Sequence, residues 1–144
     1  MADVCVIGAR GTLNDVEEAV RYFRNSSGDG VILDASMIKG DMHIKSAIFH
    51  AERAFERGEN TSPRLLMEVM LYLSGERQLA SAIATMGVKE GCDEFIILTQ
   101  GLDPERVLRD LELEKDDSIL HKKIDDICVK DAMERVAQVD ILKR

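Results

Sequence analysis

Leu65-Leu66-Met67-Glu68-Val69-Met70-Leu71-Tyr72-Leu73 decides how this chain folds. The run is apolar on nearly every side of a helix, so it has no solvent face and belongs at the centre of the molecule. Ser62-Pro63 ahead of it reads as an N-cap with proline at the first helical position, and Gly75 behind it ends it. Upstream, a helix opening at Asp41 carries Ile44, Ala47, Ile48, Ala51, Ala54 and Phe55 at helical spacing as far as Gly58. Downstream, Ser74 is placed to cap a helix with Leu79, Ala82, Ile83 and Met86 on one face, closed by Gly87. The middle of the chain is therefore helical throughout.

The flanks read differently. Val4-Cys5-Val6-Ile7, Val31-Ile32-Leu33 and Glu94-Phe95-Ile96-Ile97-Leu98 are short apolar runs bounded by turn residues, which predicts buried strands. Asn14 and Glu17 have capping-box spacing ahead of Val16, Ala19, Val20 and Phe23. Asp103-Pro104 opens another helix, and Leu111-Glu112-Leu113 alternates as a short edge strand would. From Asp117, the residues Leu120, Ile124, Ile127, Cys128, Ala132, Val136 and Val139 predict one long amphipathic helix. The expected architecture is one α/β domain (α+β-like) over residues 1–144. In it a small mixed sheet of about three or four strands packs with about six helices, a three-helix central segment among them.

A chain of 144 residues with 45% hydrophobic content builds one core without disulfides or metal. Cys5, Cys92 and Cys128 are widely spaced, which fits a reducing compartment, and Cys5 and Cys128 are expected to be buried as small hydrophobes. No run approaches the roughly 18 apolar residues of a membrane span and the N-terminus has no signal-type core, so the expected location is the cytoplasm, with no membrane partner. A net charge of -8 opposes autonomous binding to a phosphate backbone. The charge is uneven, however: residues 39–89 hold seven cations and six anions, leaving -9 on the remainder.

Candidate chemistry is sparse. Gly8-x-x-Gly11 follows a strand and precedes a helix, but lacks the third glycine of a dinucleotide site and the Gly-Lys-Ser/Thr of a P-loop. It reads as a plain turn, with a phosphate cradle as the alternative. His43 and His50 lie about 10 Å apart along a helix with Ala47 between them, which suits surface or interface residues rather than metal ligands. Glu68 interrupts the most apolar helix and needs a partner, expected to be Arg64, Arg77 or another polar group, with acid-base chemistry as the alternative. Most of Tyr22, Phe23, Phe49, Phe55, Tyr72 and Phe95 lie on apolar faces, which does not favour base stacking. No cofactor, metal ion or catalytic residue is assigned.

The stretch from Ile44 to Gly91, above all Asn60-Thr61-Ser62-Pro63-Arg64 through Tyr72-Leu73-Ser74-Gly75-Glu76-Arg77-Gln78-Leu79 and on to Gly87-Val88-Lys89, resembles the Cgi/TPRKB family. Glu134-Arg135-Val136-Ala137-Gln138-Val139-Asp140 is similar to the tail of archaeal members, and the compact length looks archaeal rather than eukaryotic. Leu79 departs from the isoleucine common in the motif.

The resemblance implies a non-enzymatic accessory subunit of KEOPS, the complex that makes threonylcarbamoyladenosine in tRNA. Such a subunit docks on and activates the complex's small atypical kinase/ATPase, and archaeal members bind the tRNA 3′ CCA end. Carried onto this chain, Ser74, Gly75, Arg77 and Gln78 are the expected RNA contacts, with Asn60, Arg53, Arg57 and Arg64 extending the patch. The rival reading is a small nucleotide- or phosphate-binding enzyme using the Gly8 to Gly11 turn and Glu68.

Overall fold

Short runs rich in Val, Ile and Leu take up extended backbone wherever turn chemistry bounds them within a few residues. In the structure, a computed structural model that describes residues 3–143, three of them form the strands β1 (Cys5–Arg10), β2 (Asp29–Asp34) and β3 (Glu94–Gln100), and the charged pair Glu114–Lys115 adds a short β4. The chain divides into two compact units. The first comprises residues 3–36 and 88–121 and holds the sheet, in the order β2-β3-β1-β4. Two helices accompany it, α1 (Val16–Arg24) and α5 (Pro104–Asp110).

The α/β class is as expected, but every strand pair is antiparallel rather than mixed. The reason lies in the connection. β1 and β2, joined through α1, run the same way, and β3 enters between them, pairing Ile97 with Ile7 on one side and with Ile32 on the other. The core of this unit is apolar: Ile7, Ala9, Phe23, Ile32, Phe95, Ile97, Val107, Leu108 and Leu113. Asp103 caps α5 as expected, whereas α1 is capped by Asp15, one residue after Asn14, whose carboxylate accepts from the amides of Glu17 and Glu18. The edge strand falls at β4 and not at 111–113. Glu112 takes a positive φ of 56°, and that turn drops Leu113 into the core.

The second unit, residues 37–87 and 122–143, is helical: α2 (Asp41–Glu56), α3 (Leu65–Ser74), α4 (Leu79–Met86) and α6 (Asp126–Leu142). The centre is α3, as its composition predicts. It packs on α2, α4 and α6, and only Met67 and Ser74 escape full burial. Its first turn starts two residues later than expected, because Ser62 turns the loop instead, its hydroxyl accepting from the Arg64 amide at 3.2 Å. At the start of α2, Gly40 holds the N-cap position and Asp41 is the first helical residue.

Ser74 is the last residue of α3 rather than the cap of α4, whose N-cap position is Gln78. The single long helix expected from Asp117 is broken into a 3-10 turn (Asp117–His121) and α6, where the Asp125 carboxylate accepts from Ile127 N at 2.8 Å. Cys5 and Cys128 are exposed, not buried. Each is spaced with buried neighbours, Ile7 and Ala9 or Ala132 and Val136, but sits at the end of its element. Among the described residues no helix is long and apolar enough to cross a membrane.

Candidate functional site

The carbonyls of a helix's last turn need partners from outside the helix. At the end of α3 each of the last buried ones has one: Leu71 O accepts from the Ser74 hydroxyl at 2.8 Å, Tyr72 O from the Gly75 amide at 3.2 Å and Leu73 O from His43 Nε2 at 2.9 Å. The Lys39 amide donates to His43 Nδ1 at 2.9 Å, so that nitrogen is unprotonated and the ring is held as the Nε2–H tautomer. Burial, with the charges of Lys39 and Arg135, keeps the His43 pKa below its ordinary value against the opposing Leu73 bond. His43 is therefore a buried strut between α2 and α3 rather than the surface or interface residue expected.

Gly75 follows in the left-handed region with φ of 72°. A Cβ there would lie 2.9 Å from that of Arg135. Both the backbone and the space therefore require glycine, and Arg135 of α6 lays its aliphatic stem across the turn. The Ser74 hydroxyl accepts from Glu76 N at 3.0 Å, and the chain then presents Arg77 and Gln78 to solvent before α4 begins. Gln78 makes no side-chain cap bond. Ser74, Gly75, Arg77 and Gln78 thus lie at one junction, in which Ser74 and Gly75 are half-buried and Arg77 and Gln78 are exposed. Arg135 joins them, with a guanidinium that donates to Asp131 at 2.7 Å and stays largely exposed. Periodicity places Arg135 beside Val136 on α6, but nothing in it tells that α6 passes this end of α3.

The other four expected contacts gather at the opposite end of α3. Arg53 lies 5.3 Å from the centre of the Phe49 ring, Arg57 caps the end of α2, Asn60 Nδ2 donates to Ser62 O at 2.9 Å, and Arg64 holds the N-cap position of α3. The 10 residues of α3 separate the two groups. At the helical rise that is about 15 Å, so they form two clusters and not one patch.

Glu68 is fully buried. Its carboxylate accepts from Thr61 N at 3.0 Å and Ser62 N at 2.9 Å, and pairs with Lys143 Nζ at 2.5 Å. The partner is therefore Lys143 and the incoming loop, not Arg64 or Arg77. Helical side chains tilt toward the N-terminus, which aims Glu68 back at that loop. Lys143 Nζ also donates to the Tyr72 hydroxyl at 3.2 Å and sits 5.0 Å from that ring's centre. Tyr72 in turn donates to Asp140, which pairs with His50 Nδ1 at 2.9 Å.

Burial and the Asp140 bond raise the Tyr72 pKa well above the phenol range. Burial pushes the Asp140 carboxyl up, but the bonds from Tyr72 and His50 outweigh it and hold it below the usual carboxylate range. With its oxygens engaged and no exposed surface, Glu68 is placed to fix structure, not to meet a substrate.

The Gly8 to Gly11 turn offers no phosphate cradle. Gly8 N already donates to the Asp117 carboxylate at 3.1 Å, its carbonyl accepts from Asp116 N at 2.9 Å, and a Cβ on it would lie 2.3 Å from Asp116 O. Arg10 pairs with Asp116 at 3.0 Å, and the N-terminus of α1 holds the Asp15 carboxylate. An anion would meet carboxylates at each of these positions.

Comparison with known proteins extends the likeness beyond the central motif. A curated relative, the EKC/KEOPS complex subunit CGI121 of Coccidioides immitis (strain RS), is 28% identical over 81 residues, 56% of this chain and 39% of the relative. The match thus spans well under half of that relative's length. The family model described as kinase binding protein CGI-121 matches residues 12–142, both units included. On that match the chain belongs to the CGI-121 family.

Proposed function

We propose that this protein is a non-catalytic, kinase-binding subunit of a KEOPS-type complex that makes threonylcarbamoyladenosine in tRNA, activating the small kinase/ATPase subunit and holding the tRNA 3′ CCA end at the Ser74 to Gln78 junction. The family match over residues 12–142 carries the reading. A kinase surface is supported by apolar side chains left exposed on helices of the second unit: Met42 and Phe49 on α2, Ile141 and Leu142 on α6. α2 and α6 pack on each other, so apolar groups exposed on both can supply the apolar part of a protein interface.

The RNA role is supported by the junction's chemistry, in which an exposed guanidinium and an amide side chain stand beside the N-terminus of α4, which its N-cap side chain leaves uncapped. Few cations are present, so the salt dependence of RNA binding should be shallow, a log–log slope no steeper than about -2. The test of the kinase reading is co-purification with that kinase and a rise in its ATPase rate. No complex at micromolar concentrations contradicts it. For the RNA reading, Arg77→Ala with Gln78→Ala should release tRNA while leaving the unfolding midpoint unchanged, and unchanged retention removes the assignment.

A further inference from the structure

A helix end normally stays down because apolar side chains of its last turn are buried. In the last turn of α6 Val139 alone is buried: Ile141 is 67% and Leu142 43% exposed. Beyond Val139, the groups that this end of the helix directs inward are polar. Asp140 meets Tyr72 and His50, and Lys143 meets Glu68 and Tyr72.

The receiving cup for Lys143 is assembled from parts of α3 and its entry loop. It consists of a buried carboxylate fixed by two backbone amides, a phenol oxygen and an aromatic face, which together suit an ammonium group. Lys143 retains 10% of its side-chain exposure there and Glu68 none. Dissolving this pair strands a charge in the core, so the contact is strongly biased to the closed state.

We propose that Lys143 and Glu68 form a latch that fastens the end of α6 to α3 and thereby presents Ile141 and Leu142 as a fixed apolar pair to the kinase partner. The presentation part rests on the kinase-binding reading above, whereas the latch stands on contacts within this unit. Lys143 and Glu68 act as positioning residues. They touch no partner themselves but hold in register the turn that does, and a turn already in place spares the ordering that docking would otherwise require.

The test uses the full chain, with amide hydrogen exchange and kinase affinity as readouts. In Lys143→Met, amides of residues 140–142 should exchange at least tenfold faster while those of residues 132–136 keep their rates, and kinase binding should weaken at least tenfold. Because that variant leaves Glu68 unpaired and risks unfolding, Glu68→Gln with Lys143→Met removes both charges and should give the same local acceleration in a folded protein. Unchanged exchange at 140–142 in the folded double variant overturns the latch. Faster exchange with unchanged affinity overturns the presentation. Failure of the unaltered chain to bind the kinase defeats the kinase reading and the presentation with it, and the exchange rates still decide the latch.

Discussion

The two units differ in where they keep their polar groups and their charge. The sheet unit has an apolar core, and its ties, Arg10 to Asp116 and Tyr22 to Asp110, lie at the surface. The helical unit buries Glu68, His43 and Ser62 and runs a chain of polar contacts from the loop before α3 through Tyr72 to α2 and α6. Counted over the full sequence, residues 1–36 and 88–121 carry 7 cations and 16 anions, a net -9, whereas residues 37–87 and 122–144 carry 12 and 11, a net +1. The whole acidic excess sits on the sheet unit. The lesson is that overall charge says little about a local site: the near-neutral half is the one that offers the exposed Arg77–Gln78 junction and, among the described residues, all the exposed large apolar side chains except Val20.

The largest consequence of that contrast is at Glu68. Glu68→Ala strands the Lys143 ammonium and two loop amides and should cost about 3–5 kcal/mol in denaturant unfolding. Arg10→Ala in the sheet unit should leave the midpoint nearly unmoved, since exposed pairs contribute little. Equal effects would erase the distinction between the units.

Next in size is Gly75→Ala. Gly58, with φ of 67° and nothing within 4 Å of a Cβ, isolates the backbone effect. Its alanine variant should lose about 1–2 kcal/mol, and Gly75→Ala should lose more, because Arg135 must also move. An equal loss at the two positions would mean that Arg135 does not lie against the turn.

A smaller effect is expected from pH. His43 is held neutral in the fold, with its pKa lowered chiefly by burial, so below about 6.5 the unfolded chain binds more protons than the native one. Its contribution is complete above that pH and is lost as pH falls through the lower native value. Asp140, also depressed, contributes above about 3.9 and loses that contribution at still lower pH. Melting temperatures should therefore decline from pH 7 toward 5, and His43→Gln should flatten the decline.

The smallest expected change is in the sheet. The Thr99 hydroxyl is buried with no partner among the described residues, so Thr99→Val should leave stability unchanged or raise it by up to about 1 kcal/mol. A clear loss would show that the sheet unit also depends on buried polar contacts.

Much of the fold is legible from local signals. The nearly all-apolar α3, the Asp103-Pro104 start of α5 and the three main strands follow from periodicity and cap chemistry, because each signal lies within a turn of what it governs. What escapes depends on contacts distant in sequence. Lys143 meets Glu68 across 75 positions and His43 meets Leu73 across 30, and no spacing rule connects them. Cys5 and Cys128 show the same limit: period fixes the face of an element, but not how far its cover extends. At the junction, Ser74, Gly75, Arg77 and Gln78 are legible as one motif, since they are contiguous. Arg135 is not, nor is the displacement of Arg53, Arg57, Asn60 and Arg64 to the other end of α3.

The central claim, that the helical unit carries the binding function, is tested most directly by amide hydrogen exchange on the full chain with and without tRNA bearing its 3′ CCA end. The expected result is protection centred on residues 74–82, lost when the CCA is removed, with the sheet unit's rates unchanged. Protection of the sheet unit, or protection at 74–82 that persists without the CCA, would contradict it.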